Sequence, residues 1–242
     1  MSTLFISDLH LNPNEPALIK LAVDFLKTKA IHCKELYILG DLFNIWLGDD
    51  LIVEEFTPVI EQLQHLHQQG VKTYLMVGNR DFLMGKDFAN LIGAKLLDDT
   101  HVIDLYGTRT LLLHGDTLCT DDVSYQRYRL WSRNKVIQWL FKHLPLKLRQ
   151  NIADKIKQKS SQQKQTKSAY IMDVNADEVA RIMNKFGVTQ LIHGHTHRPD
   201  VHALEVSGKP ATRIVLGDWH SEVSYLQCSE HQQQLVDPRV SN

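Results

Sequence analysis

The chain has 242 residues, 43% of them hydrophobic and 23% charged, with a formal net charge of −1. That is enough apolar material for one substantial core, and no apolar run approaches the roughly 18–20 residues of a spanning helix. A protein built on membrane-spanning helices is therefore excluded, and residues 1–242 are read as one globular domain.

The amino terminus enters a strand at once, with no basic segment or cleavage site, so residence in the cytoplasm is expected. Cys33, Cys119 and Cys228 are far apart and lack C-x-x-C spacing, so neither a disulfide framework nor a zinc knuckle is implied. The near-zero charge conceals an asymmetry. Residues 124–169 carry twelve Lys or Arg and one acid, whereas the remainder carries 15 basic and 27 acidic residues. A basic segment sits on an acidic body.

In chain order, the first apolar run is Leu4-Phe5-Ile6, followed by Ser7-Asp8-Leu9-His10. Leu18, Leu21 and Phe25 then recur at helical spacing. Leu36-Tyr37-Ile38-Leu39 is a second buried strand, stopped by Gly40 so that Asp41 stands at its carboxyl edge. Val53, Phe56, Ile60 and Leu63 make another helical run, and Tyr74-Leu75-Met76-Val77 a third strand, ending on Gly78-Asn79-Arg80-Asp81. His101 to Leu105 and Thr110 to His114 form a hairpin about Tyr106-Gly107-Thr108. Alternating β and α units imply a sheet covered by helices.

The segment at about 123–168 breaks this rhythm. Ile137, Leu140, Phe141 and Leu144, then Leu148, Ile152 and Ile156, have helical spacing and are separated by Pro145. It is read as an inserted helical lid whose Gln-, Lys- and Ser-rich tail, 160–168, is a mobile or ligand-ordered loop. Asn175 with Glu178 resembles a capping box opening another helix, closed by Gly187. Strands resume at Leu191 to His195, His202 to Val206, Arg213 to Leu216 and Val223 to Cys228, and the tail after Asp237 is expected to fray.

Five strands thus end on polar groups at one edge: Asp8, His10, Asp41, Asn79, His114, His195 and His197. A lone His near a strand end is more often a surface or satisfied core residue, and His32, His65, His67, His101, His143, His202, His220 and His231 are left in that class. Seven such groups in this order are not. Carboxylate, amide oxygen and imidazole without Cys suit a hard or borderline divalent ion. Seven ligands are too many for one ion and suit two sharing a bridge, an arrangement that in two-metal enzymes, with ions roughly 3.5–4 Å apart, clamps the oxygens of a phosphoryl group. Asp8 and His10, two apart on an extended strand, share a face, as do His195 and His197.

Asp8-x-His10, Gly40-Asp41, Gly78-Asn79, His114 and Gly194-His195-Thr196-His197 resemble the calcineurin-like metallophosphoesterases. The resemblance implies an α/β fold, a four-layer α-β-β-α sandwich, around two metals. Asp8, His10, Asp41 and His197 would hold one ion and Asp41, Asn79, His114 and His195 the other, with Asp41 bridging. Arg80 departs from the superfamily, where a His after the Asn protonates the leaving group. Guanidinium cannot release its proton near neutrality, so a leaving group that needs none is favoured, such as a phosphate monoester released from a pyrophosphate. Arg80 would instead neutralise phosphate charge; the bland alternative is an ion pair with Asp81.

Trp131, Val136, Ile137, Trp139, Leu140, Phe141 and Leu144 are interleaved with Arg127, Arg129, Arg133, Lys135, Lys142, Lys147 and Arg149. Such helices can lie on an anionic membrane or line an acyl-chain pocket; the alternatives are a packed subdomain with a solvated basic face, and a nucleic-acid surface.

With the runs Leu39 to Asp50, Gly78 to Phe82, His114 to Asp122 and Gly194 to Pro199, the chain resembles one branch of the superfamily, the UDP-2,3-diacylglucosamine pyrophosphohydrolases of Gram-negative lipid A synthesis. The resemblance implies a UDP-diacylglucosamine lipid substrate, water attack at the α-phosphate, two divalent ions, usually Mn(2+), and peripheral association with the anionic cytoplasmic side of the inner membrane, with no nucleic acid partner. It assigns catalysis to Asp41, Asn79, Arg80 and His195, and substrate contacts to Asn79, Arg80, Asp122, Ser160, Lys164, Lys167 and His195. Asn44, where Glu is common in the family, departs from the pattern outside the ligand set, and little effect on metal binding is expected.

Overall fold

The computed structural model describes residues 2–166 and 173–240, apart from the side chains of 157–166. The first part of the chain lays down β1 (Thr3–Ile6), α1 (Pro16–Thr28), β2 (Glu35–Leu39), α2 (Thr57–Gln68), β3 (Lys72–Met76), α3 (Lys86–Leu91) and β4 (Ala94–Leu96), with the four strands parallel. Then follow β5 (Thr100–Leu105) and β6 (Thr108–Leu113), a hairpin whose two turn residues, Tyr106 and Gly107, both have positive φ, 52° and 86°. That backbone matches the twist of paired strands.

Three helices, α4 (Val123–Ser132), α5 (Lys135–Lys142) and α6 (Leu146–Thr166), precede α7 (Ala176–Phe186). The chain finishes with β7 (Gln190–His193), β8 (Asp200–Val206), β9 (Lys209–Val215), β10 (Tyr225–Cys228) and β11 (Gln233–Val236). The strands form a six-stranded sheet, β11-β10-β1-β2-β3-β4, and a five-stranded sheet, β5-β6-β7-β9-β8.

Side-chain alternation explains why both sheets read as continuous apolar runs. Leu4, Ile6, Leu36 and Ile38 face α1 and α2, while Phe5, Tyr37 and Leu39 point into the space between the sheets. On the second sheet Leu112 and Ile192 share that inner space, and Leu111, Leu113 and Leu191 pack outward on Val179, Ile182 and Met183 of α7. The inner strands β1, β2, β6 and β7 are thus buried on both faces along most of their length. The layers are therefore helix, sheet, sheet, helix. Tyr37 stacks on Phe5 at 5.0 Å and on Tyr74 at 4.4 Å between the sheets.

Several expectations need correction. Helix α2 starts at Thr57, because Glu54–Phe56 forms a 3-10 turn and Pro58 favours the first helical turn. The tail at 160–168 is not a loop as far as Thr166, where α6 ends. Its Gln and Lys residues have good helix propensity, and nothing there breaks a helix. Strand β11 escaped notice because it offers little apolar surface, with Leu235 its one buried residue. The segment after it is tied down as far as Val240, with Asp237 buried and Arg239 ion-paired. All three cysteines are buried thiols outside any disulfide. Among the described residues no helix is long and apolar enough to cross a membrane.

Candidate metal centre

Strands β1, β2, β3, β6 and β7 all run the same way within their sheets, so their carboxyl ends place one polar loop each at a common edge. Hydrogen bonds stitch these loops together. The amides of Asp8 and His10 donate to the carbonyls of Gly40 and Asp41, at 3.1 and 2.9 Å. His114 crosses between the sheets, its Nδ1 lying 2.9 Å from the Leu39 carbonyl.

The seven expected ligands converge, but not by strand geometry. β1 ends at Ile6 and β7 at His193, and Asp8, His10, Asp41, His195 and His197 all have left-handed backbone, with φ of 55°, 48°, 53°, 70° and 58°. The shared-face argument was right in outcome and wrong in cause. Such conformations are costly for residues with a side chain, on the order of 1–3 kcal/mol each, and persist where the surroundings impose them. The other non-glycine residues in this region are the turn residues Tyr106 and Ser207.

Two clusters result. In one, His197 Nε2 lies 3.3 Å from Asp8 Oδ1 and 3.1 Å from His10 Nε2, and His10 Nε2 lies 3.7 Å from the same carboxylate oxygen. In the other, Asn79 Oδ1 lies 3.0 Å from His114 Nε2 and 2.8 Å from His195 Nδ1. Asp41 stands between them, its Oδ2 3.8 Å from His10 Nδ1 and 3.7 Å from His114 Nε2, while its Oδ1 accepts from the Arg80 amide at 2.7 Å. The carboxylate expected to bridge faces both sets.

The donor chemistry fits divalent cations. Asp8 Oδ1 and His10 Nδ1 are buried with no hydrogen-bond partner, a state that is costly unless a ligand meets the lone pairs. His114 turns Nδ1 to the Leu39 carbonyl, so its Nε2 faces two oxygens, Asn79 Oδ1 and Asp41 Oδ2. A bound cation would satisfy all three atoms, the place a proton takes on the metal-free imidazolium. Asp8, His10, His197 and Asp8, Asp41, His114 each bring their ligand atoms within 4.8 Å of one another.

Burial lowers His114 and His197, but their carboxylate neighbours outweigh it: Asp41, Asp8 and Asp116 raise His114, and Asp218 and Asp8 raise His197 to about 9, so a metal must displace a proton from each. Burial pushes the Asp41 carboxyl up to about 7. Asp8 suffers the same burial, yet the neighbouring His197, His114 and His10 outweigh it and hold its carboxyl below the usual range. Burial drives His10 and His195 down to about 3, leaving neutral imidazoles that can donate a lone pair.

Asp81 is the residue whose role the sequence did not disclose. Its buried carboxylate accepts from the amides of Gly78 (2.7 Å), Leu42 (2.8 Å), Asp41 (3.3 Å) and Phe43 (3.4 Å), pinning the β2 and β3 loops to each other. It makes no ion pair with the Arg80 side chain, and among the described residues no carboxylate does. The Arg80 guanidinium is half-buried and unclaimed. Gly78 is needed for the close approach of these loops: a Cβ there would lie 2.1 Å from Asp41 Oδ1. Gly78→Ala is expected to displace Asp41, costing about 1–3 kcal/mol of stability and lowering metal content together with Tm. An unchanged melt and full metal content would contradict this packing.

The helices beyond β6 are fastened to the same edge. Asp116, buried, accepts from Arg129 Nε and the Tyr125 hydroxyl, both at 2.7 Å. Arg133 donates to the Gly78 carbonyl at 2.8 Å, and Arg149 pairs with Asp50. These three arginines, expected among the basic surface residues, hold α4 and α6 against the body. That leaves Arg127, Lys135, Lys142 and Lys147 exposed beside Leu130, Trp131, Val136, Trp139 and Leu140. Asp122 caps α4, its Oδ1 accepting from the Tyr125 amide at 3.0 Å. The side chains of Ser160 and Lys164, and Lys167 altogether, lie outside the described residues.

Two packed sheets flanked by helices gather Asp, Asn and His side chains able to hold divalent metal at their common carboxyl edge, and the chain belongs to the calcineurin-like phosphoesterase family, whose model matches residues 1–199. Its relatives are more particular. It is 49% identical to the UDP-2,3-diacylglucosamine hydrolase of Histophilus somni (strain 129Pt), over 97% of this chain and 99% of that protein. The UDP-2,3-diacylglucosamine hydrolases of Aliivibrio fischeri (strain MJ11) and Pseudomonas entomophila (strain L48) are 48% and 47% identical, over 95% and 96% of this chain and 95% and 97% of theirs.

Proposed function

We propose that this chain hydrolyses the pyrophosphate bond of UDP-2,3-diacylglucosamine by water attack at the α-phosphate, releasing UMP and 2,3-diacylglucosamine 1-phosphate for Gram-negative lipid A synthesis. The observation that carries this reading is the intact seven-ligand constellation in a chain almost half identical, over nearly its full length, to proteins so named. Bound at Asp8, His10, Asp41 and His197 and at Asp41, Asn79, His114 and His195, two divalent ions, with manganese as the physiological metal, would supply an acidified water and charge neutralisation at the phosphoryl oxygens.

The chain's own groups do the rest. Arg80 projects from a loop fixed by Asp81 and Arg133 and neutralises the phosphate oxygens. Asn79 and His195, joined at 2.8 Å, orient the phosphate beside it. The leaving group is a phosphate monoester with a second pKa of about 6, so no general acid is required and an arginine can occupy that position. The family resemblance assigns further substrate contacts to Asp122, Ser160, Lys164 and Lys167.

The exposed apolar and basic residues of α4 to α6 support acyl-chain binding and a peripheral seat on the cytoplasmic side of the inner membrane, each surface cation contributing about 1 kcal/mol. Reversing charge at Arg127, Lys135, Lys142 and Lys147 together should reduce co-sedimentation with anionic vesicles. Unchanged co-sedimentation would sink the membrane seat while leaving the chemistry standing.

The test of function is hydrolysis of UDP-2,3-diacylglucosamine by purified protein after chelation, with and without added manganese, beside the same nucleotide sugar lacking acyl chains. Manganese-dependent UMP release from the acylated compound alone is expected. Equal turnover of both would favour a phosphodiesterase for soluble nucleotides.

A further inference from the structure

The segment joining β9 to β10 touches the metal centre twice. The Trp219 amide donates to the Asp8 carbonyl at 3.1 Å, and the buried carboxylate of Asp218 receives His197 Nδ1 at 3.0 Å. The same oxygen of Asp218 receives His220 Nε2 at 2.8 Å, and its other oxygen the Arg239 guanidinium at 2.7 Å.

Arg239 follows β11 and is itself tightly held. Its Nε and Nη2 form a fork on Asp237 at 2.8 and 2.7 Å, its own amide donates to the same carboxylate at 2.9 Å, and Nη2 also donates to the Asp218 carbonyl at 3.0 Å. Gly217 leaves room for this assembly: a Cβ there would lie 2.2 Å from Arg239 Nη2 and 2.3 Å from Asp237 Oδ2. The parts are fitted to one another. None of them is among the seven ligands.

We infer that Asp218, itself held by Arg239, is a positioning residue that fixes the tautomer and ring orientation of His197 and thereby sets the affinity of one of the two cation sites. An imidazole that gives its Nδ1 proton to a carboxylate keeps its lone pair on Nε2. In this structure Nε2 is the atom that faces Asp8 and His10. Carboxylate partners of this kind orient metal-binding imidazoles and raise their basicity, and their loss typically costs roughly 10–100-fold in metal affinity. Arg239 matters because its Nη1, held in place by the fork on Asp237, takes the second oxygen of Asp218 and so settles which way that carboxylate faces. The terminal segment, far from the ligands in sequence, thus supports one site directly; among the described residues no hydrogen bond or ion pair joins it to Asn79, His114 or His195.

The inference rests on the two-ion reading of the site and is independent of the substrate. It is tested by calorimetric titration of chelator-treated full-length protein with manganese alone, on wild type, Asp218→Ala, Arg239→Gln and Gly217→Ala. Wild type should take up two ions. Asp218→Ala should bind one of them roughly 10–100-fold more weakly and the other as before, and Arg239→Gln and Gly217→Ala should shift the same site in the same direction. In the metal-free protein the proton signal of His197 Nδ1, held against a carboxylate, should vanish in Asp218→Ala.

If Asp218→Ala does not fold, Arg239→Gln decides, because it leaves the carboxylate in place. Both ions bound with wild-type affinity in every folded variant would overturn the positioning role, and so would equal weakening of both sites. Wild type that binds manganese at two sites yet fails to turn over the lipid nucleotide would overturn only the substrate assignment.

Discussion

Asp41→Ala is expected to abolish hydrolysis, lowering turnover by on the order of 10³-fold or more, well beyond the roughly 10–100-fold of an outer-shell change. One side chain is asked to do two things. Its Oδ2 faces His10 on one side and His114 on the other, so its removal opens both cation clusters together. Its Oδ1 accepts the Arg80 amide, so the loop carrying the phosphate-binding arginine is released as well. The measurement is metal content and UMP release on the same sample, with wild-type protein treated with chelator as the reference for fold. Because Asp41 is fully buried and its carboxyl is pushed up by that burial, the metal-free variant need not be less stable than metal-free wild type. Near-normal activity with both ions retained would rule out the bridging role.

The second large effect is at Arg80. Arg80→Ala should lower kcat/KM by on the order of 10²–10³-fold, the range seen when one preorganised donor to a developing oxyanion is removed. Metal content should be unchanged, because the contact between this residue and Asp41 is made by the backbone amide, which alanine keeps. Arg80→Lys should recover only part of the loss, since an ammonium offers no planar fork to two phosphate oxygens. Parallel loss of metal and activity in Arg80→Ala would show the residue to be a support of the metal loop; an unchanged kcat/KM would remove it from the reaction.

What could be read from the sequence depended on whether a residue's role is local. Apolar strands ending on Gly-Asp, Gly-Asn or His beside Gly are local signals, and they singled out Asp41, Asn79, His114 and the His195-His197 pair without any knowledge of the packing. Sheet order followed less directly. The chain does not say that Leu39 and His114 meet across two sheets, a contact spanning 75 positions.

The cause assigned to the Asp8 and His10 pair was an extended strand, whereas the backbone has already left the strand and turned left-handed. Side-chain type was enough to single out candidate ligands that the structure brings together, but φ at those positions is imposed by the neighbouring loops and cannot be seen in the residues themselves. Asp81 illustrates the opposite limit. Its partners are backbone amides, which every residue carries, so nothing in its surroundings in sequence marks it. Arg129, Arg133 and Arg149 were misplaced for a related reason: their charge was plain, and the carboxylates and carbonyl they reach, Asp116, Asp50 and the Gly78 oxygen, are distant in the chain. Asp218 ends the same kind of run, Ile214-Val215-Leu216-Gly217-Asp218, and that signal went unread; Arg239 lies in a stretch with no apolar period.

The central claim is that water attacks the α-phosphorus of UDP-2,3-diacylglucosamine at this centre. It is tested most directly by running manganese-supported turnover in heavy-oxygen water and locating the label by mass spectrometry. The account predicts one heavy oxygen in UMP and none in 2,3-diacylglucosamine 1-phosphate. Label in the diacylglucosamine phosphate, or no turnover by metal-loaded protein, would contradict it.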